Sequence, residues 1–269
     1  MDRTIAVVGS ASGMGAATRA RLEKAGDRVI GVDQSGAEVV ADLGTSDGRG
    51  AAVAGVTEAS GGALDGLVLA AGVGVPTATP QRCLTVNYFG IRAVLDGLRP
   101  VLAARPPSYV VIIGSNGALC IPDLPDDVVE ACLDGDEARA LDLAAKYHQV
   151  VAYGGSKLAI MRWARRAATT ADWAGAGIRL NVYAPGATAT PMLDRALADA
   201  EFAAMAAGQI QPVGGPVPAE HVAAWIEMML SDAAEFLCGQ IISVDSGTEA
   251  FMRAEHWPVT LPLGLSWAL

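Results

Sequence analysis

Tyr153 and Lys157 stand four residues apart in Tyr153-Gly154-Gly155-Ser156-Lys157, near the start of a predicted helix. One helical turn brings both side chains to the same face. A phenol ordinarily holds its proton to about pH 10. An ammonium beside it favours the phenolate, which gives the tyrosine acid/base chemistry near neutrality. Alone the pair is weak, because the same spacing describes a surface tyrosine beside a solvated lysine. A second chemistry-bearing stretch is Gly9-Ser10-Ala11-Ser12-Gly13-Met14-Gly15. Glycines between a strand and a helix permit a tight turn and let backbone N–H groups approach a pyrophosphate at the helix start. The spacing is G-x-x-x-G-x-G rather than the commoner G-x-G-x-x-G, and a glycine-rich turn can be no more than a turn. Asp33 lies 18 residues beyond Gly15. A carboxylate there accepts hydrogen bonds from adenosine ribose hydroxyls and repels a 2′-phosphate. None of Ser10, Ala11, Ser12 or Gln34 is basic, so NAD is expected over NADP. Asp42 is a candidate partner for the adenine amino group, or else an ordinary loop-end or capping residue.

These residues require a scaffold, and the chain supplies one. Largely apolar runs at 4–8, 28–32, 65–70, 109–114, 178–183 and 241–245 read as buried parallel strands, with a weaker strand near 38–41. Helical patterns at 16–25, 46–59, 81–104, 150–171 and 219–230 lie between them. Strands alternating with helices of this length mean right-handed crossovers and a parallel sheet. The expected class is α/β: a single doubly wound, Rossmann-type sheet with helices on both faces. In this reading residues 1–248 form one catalytic domain and 249–269 a C-terminal tail. Ser115 falls just past a strand end and Asn87 within the long helix. Residues 119–149 are acidic, with one or two short helices, and 187–218 read as irregular.

The 269 residues carry 19 basic and 29 acidic side chains, a formal charge of −10, with 52% hydrophobic residues. An acidic chain without a basic stripe is a poor partner for nucleic acid or an anionic membrane. Cys83, Cys120, Cys132 and Cys238 are scattered, as are His148, His221 and His256, so neither a disulfide framework nor a metal site is expected. Without an apolar leader or a run of about 18 apolar residues, a cytoplasmic protein is expected.

Jointly, Gly9/Gly13/Gly15, Asp33, Asp42-Leu43, Ala70-Ala71-Gly72, Asn87, Ser115, Tyr153/Lys157, Asn181, Pro185-Gly186 with Thr188 and Thr190, and Asp245-x-Gly247 resemble the short-chain dehydrogenases/reductases. The resemblance spans about residues 4–247. Ala71 stands where that family usually has Asn. Ser115 precedes Tyr153 by 38 residues, against about a dozen in the family, so 119–149 contains an insertion of about 25 residues. With Val86-Asn87-Tyr88-Phe89-Gly90 and Ala184-Pro185-Gly186-Ala187-Thr188, that insertion is similar to the bacterial 3α-hydroxysteroid dehydrogenase/carbonyl reductase branch.

The resemblance implies an NAD-dependent enzyme interconverting a secondary alcohol and a ketone, on a hydroxysteroid or another hydrophobic cyclic substrate. It implies Tyr153 as general acid/base, Lys157 lowering its pKa and bonding the nicotinamide ribose, and Ser115 stabilising the substrate oxygen. Asn87 would bend its helix and hold a water relaying protons from Lys157. Gly9, Ser12, Gly13, Met14, Gly15, Asp33, Asp42, Leu43, Ala71 and Gly72 would bind the cofactor, and Pro185, Gly186, Thr188 and Thr190 its nicotinamide end. Residues 188–217, with Met192, Leu193, Phe202, Met205 and Ile210, would form a substrate lid or simply pack on the sheet. Cys120, Ile121 and Pro122 would add an apolar wall, while the insertion's acids form a solvated face or a subunit contact. A homodimer or homotetramer is expected. Two other readings stay open: a catalytically silent NAD-binding regulator, and a sugar-nucleotide epimerase. The four-residue Tyr–Lys spacing counts against an enoyl reductase.

Overall fold

The computed structural model describes residues 3–256. Its central sheet has seven parallel strands in the order β3-β2-β1-β4-β5-β6-β9. These are β1 (Thr4–Val8), β2 (Arg28–Asp33), β3 (Val39–Val40), β4 (Gly66–Leu69), β5 (Ser108–Ile113), β6 (Ile178–Pro185) and β9 (Ile241–Val244). A separate two-residue parallel ladder joins β7 (Thr188–Ala189) to β8 (Val217–Pro218). The helices are α1 (Gly13–Lys24), α2 (Ser46–Ser60), α3 (Pro80–Leu84), α4 (Ile91–Ala103), α5 (Gly117–Cys120), α6 (Asp126–Asp134), α7 (Glu137–Ala144), α8 (Gln149–Ala168), α9 (Pro191–Leu197), α10 (Ala200–Ala207), α11 (Ala219–Met229) and α12 (Thr248–Met252).

Alternation along β1 shows how the two faces are covered. Ile5 and Val7 point into a core shared with Leu22 of α1 and with Val222 and Ile226 of α11. Ala6 and Val8 point the other way, toward Ala52 and Val56 of α2, Val94 and Leu98 of α4, and Ala159 and Ile160 of α8. The chain leaves β1 for β2 and β3 on one side, then returns to β4 on the other. That reversal opens a crevice at the carboxyl ends of β1 and β4, where doubly wound sheets bind ligands.

Two segments differ from the sequence expectation, and a third, with its short helices as expected, is packed more tightly than its acidity suggests. The helix expected over 81–104 is interrupted by a π-helical stretch, Thr85–Gly90, with Asn87 inside it. Residues 188–217, expected to be irregular, are ordered into β7, α9, α10 and β8. Thr190 caps α9 ahead of Pro191, and Asp199 caps α10, accepting from Glu201 N and Phe202 N. The 119–149 region is a packed layer: Val128, Val129, Cys132, Ala140 and Ala144 are fully buried, with α6 against α8 and α7 against α3. Most of its acids stay on the solvent face, but Glu137 pairs with Arg49, and Asp127 accepts from the Tyr147 hydroxyl. The expected tail begins with α12 and a 3₁₀ turn, Ala254–His256; its remaining residues, including Trp257 and Trp267, lie outside the described residues. The four cysteines are free.

Candidate active site

The glycine turn lies between β1 and α1. Two of its glycines are dictated by packing: a Cβ on Gly9 would fall 2.4 Å from Ala71 N, and one on Gly15 1.9 Å from Gly9 O. Strand, turn and helix therefore meet more closely than any side chain permits. Ser12, the N-cap of α1, makes no side-chain capping bond, and the first turn holds no acid, so the helix presents free N–H groups and its positive end to the crevice. Asp33 closes the far side of the turn, accepting from Ala11 N at 2.9 Å and from Gln34 N at 2.7 Å.

A cleft of about 330 Å³ runs along these groups. Gly9, Ser12, Gly13, Met14, Asp33, Leu43, Ala71, Gly72 and Thr190 line it. Pro185, Gly186 and Thr188 are outside this lining. Gly186 instead leaves room for Asp245, whose Cα would be 2.8 Å from a Cβ there, and the Thr188 hydroxyl donates to Gly186 O. Asp42 is also outside the lining; its Oδ1 accepts from Arg82 Nη2 at 2.7 Å and from Gly44 N at 2.9 Å. A glycine turn at an uncapped helix start, with an acid at the end of the neighbouring strand, has the make-up of a dinucleotide site, and the close glycine packing fits such a ligand.

The candidate catalytic groups meet at the other end. Lys157 Nζ, buried, donates to Ile113 O at 2.9 Å. Desolvation pulls the Lys157 ammonium down to about 8, opposed by the nearby Cys83 thiol. Burial raises the Tyr153 phenol above its ordinary value, while the neighbouring Ser115 hydroxyl lowers it and Cys83 adds to the rise. Gly117 N donates to Ser115 Oγ at 3.1 Å, and a Cβ on Gly117 would lie 3.2 Å from that oxygen and 3.6 Å from Tyr153 Cε1. Asn87 Oδ1 accepts from Val73 N, and its Nδ2 donates to Val73 O and Ser156 Oγ. The π-helical stretch thus fastens the loop after β4. A Cβ on Gly72 would lie 3.3 Å from Asn87 Oδ1 and 3.6 Å from Lys157 Nζ, so cleft and cluster share a wall.

Residues 188–217 cover this junction. Met192 Sδ and Tyr153 Cε2 would lie 3.1 and 3.5 Å from a Cβ on Gly74. Phe202 is buried and stacks on His148, whose Nε2 is 3.3 Å from Glu201 Oε1. Met205 and Ile210, expected to face a substrate, are exposed at 46% and 45%. Ile121 packs over the start of α8, its Cδ1 3.1 Å from a Cβ built on Gly154. Two further lining residues, Pro191 and Arg195, escaped sequence reading. The Thr190-Pro191 capping signal, followed through one turn of helix, would have found both.

Among the described residues, no cluster of His, Cys, Asp and Glu can hold a metal, and no helix is long and apolar enough to cross a membrane. A glycine turn at the switch point of a parallel sheet, adjoining a Ser, Tyr and Lys cluster, defines a class of nucleotide-cleft oxidoreductases. Comparison with known proteins narrows it. A family model described as enoyl-(acyl carrier protein) reductase matches residues 139–249. A 3-alpha-hydroxysteroid dehydrogenase/carbonyl reductase from Comamonas testosteroni is 37% identical over 252 residues, 93% of this chain and 97% of its own. A cis-4-hydroxycyclohexanecarboxylate dehydrogenase from Sinomonas cyclohexanicum is 32% identical over the same shares, 93% and 97%. The 3-alpha-hydroxysteroid dehydrogenase of Pseudomonas sp. B-0831, solved in complex with NADH, superposes with a TM-score of 0.89 at 45% identity, over 94% of this chain and 99% of that one. The chain belongs to the short-chain dehydrogenase/reductase family.

Proposed function

We propose that this protein interconverts a secondary alcohol and a ketone with NAD(H), on a hydroxysteroid or similar hydrophobic cyclic substrate. The observation that carries the proposal is the shared wall at Gly72, which sets Lys157 and Asn87 against the end of the cleft, with the Tyr153 ring beside Gly74 two residues on. Bound there, the nicotinamide supplies or takes up the hydride. In reduction Tyr153 gives its hydroxyl proton to the carbonyl oxygen, and in oxidation it accepts the proton back. Ser115 Oγ accepts from Gly117 N, and its own O–H, beside the Tyr153 hydroxyl, would turn to the substrate oxygen and steady the charge developing there. Lys157 holds a positive charge beside the proton's route, and Asn87 supports a relay outward from it. Asp33 meets the adenosine ribose. Met192 and Ile121 give the substrate side an apolar surface, and 188–217 act as its lid.

An oligomer belongs to the same reading: Trp225 and Met228 of α11 are exposed, and Trp225 shares a surface hollow with Ser243 and Val244 of β9, the outer strand of the sheet. A cytoplasmic setting suits four free thiols. Tyr153→Phe is expected to abolish turnover of cyclic alcohols and ketones, followed at the NADH absorbance, while NADH binding persists. In the wild type a phenol raised by burial favours reduction at neutral pH and oxidation at alkaline pH. Turnover retained by the phenylalanine variant would remove Tyr153 from its role.

A further inference from the structure

The side chains lining the cleft include two that carry charge, Asp33 at the end of β2 and Arg195 on α9. Arg195 follows Pro191 by four residues, which puts the two on one face of α9, a turn apart. That face is seated on the glycine turn: a Cβ on Gly13 would lie 3.3 Å from Thr190 Cγ2 and 4.0 Å from Pro191 Cδ. Directly behind the turn is the uncapped start of α1. Arg195 is therefore a long, exposed cation held one helical turn from the groups that flank the anion-binding end of α1.

The charge has work to do in this protein. With a formal charge of −10, the molecule as a whole repels a dianionic pyrophosphate, and the cleft contributes Asp33 to that repulsion. The backbone N–H groups of α1 offset this at short range. A guanidinium arriving from the opposite side would complete the neutralisation through charge-assisted hydrogen bonds.

Resting on the NAD(H) reading, we propose that Arg195 of α9 clamps the cofactor's pyrophosphate from the side opposite the start of α1. The test measures binding of NADH, ADP-ribose and adenosine to the wild type, Arg195→Met and Arg195→Lys, at low and high salt. Arg195→Met is expected to weaken NADH and ADP-ribose about 5- to 20-fold at low salt, to lose much of the salt dependence, and to leave adenosine unchanged. Arg195→Lys should recover part of the loss. NADH binding by Arg195→Met with wild-type affinity and salt dependence would overturn the clamp. So would an equal loss of adenosine affinity, since that would mean Arg195 shapes the pocket rather than meeting a phosphate. A wild type that binds neither NADH nor ADP-ribose would overturn the cofactor reading itself, and the clamp with it.

Discussion

Lys157 keeps an ammonium where water hardly reaches. Desolvation lowers it from 10.5 to about 8, and its hydrogen bond goes to the Ile113 carbonyl. The unfolded chain therefore holds this proton more tightly than the folded one, at a cost to the fold of up to about 3 kcal/mol below pH 8. As pH rises from about 8 to 10.5 the unfolded lysine also deprotonates, and the cost disappears. Lys157→Met is expected to be about 1–3 kcal/mol more stable than wild type at neutral pH and to lose turnover. Its urea midpoint should converge on that of the wild type through the same window; a constant gap would refute the buried charge. Asp33 makes a separate prediction. Asp33→Ala should reduce the preference for NAD over NADP by about 10-fold or more, because the carboxylate that repels a 2′-phosphate is gone. Equal use of both cofactors by the wild type would contradict it. Asp33, Ser115, Tyr153 and Lys157 were all readable in the sequence, since each is marked by a strand end or a helical spacing close by. The engagement of Asp42 was not, because its partner Arg82 is 40 residues away.

Among the elements, α2 has an influence beyond its own packing, through Arg49. Its Nε donates to Leu43 O, its Nη2 to Thr85 O, and both terminal nitrogens pair with Glu137 at 2.7–2.8 Å. One guanidinium thus ties together a cleft-lining loop, the entry to the π-helical stretch and helix α7 of the insertion. Planar, bidentate pairing of this kind suits arginine and no other side chain. Arg49→Met is expected to destabilise by about 1–3 kcal/mol and to weaken NADH binding. Combined with Glu137→Gln in a double-mutant cycle, the losses should fall short of their sum. Strict additivity would show that α7 is held by other contacts. Nothing local announces Arg49, whose acceptors are 6, 36 and 88 residues away. The π-helical stretch was equally hidden, because its residues keep a helical apolar pattern and their extra width accompanies Asn87's bonds to Val73. Helices α9 and α10 were obscured for another reason. They are short and rich in Ala and Met, among glycines and prolines, and only their caps distinguish them from loop.

At the scale of the molecule, the strands and their parallel arrangement followed from continuous apolar runs separated by helices. The insertion's short helices and exposed acids were legible too, but not that α6 and α7 form an outer layer sealing α3 and α8. Val128 and Val129 alone, fully buried there, represent about 3–6 kcal/mol of hydrophobic stabilisation. Removing residues 123–146 to restore the usual family length is therefore expected to give aggregated protein in size-exclusion chromatography. A monodisperse deletion variant that still binds NADH would show the layer to be dispensable.

The small ladder between β7 and β8 has a consequence for how such enzymes diversify. Thr188 pairs with Val217 and Ala189 with Pro218, so residues 190–216 leave and re-enter the fold at one place. The sheet meets that excursion through a four-residue seam, and loop closure across it costs little more when the span lengthens. A segment joined in this way is a unit of exchange. Replacing it whole by a relative's, cut at the seam, is expected to alter what the enzyme accepts while leaving the elements that hold Ser115, Tyr153 and the glycine turn as they were.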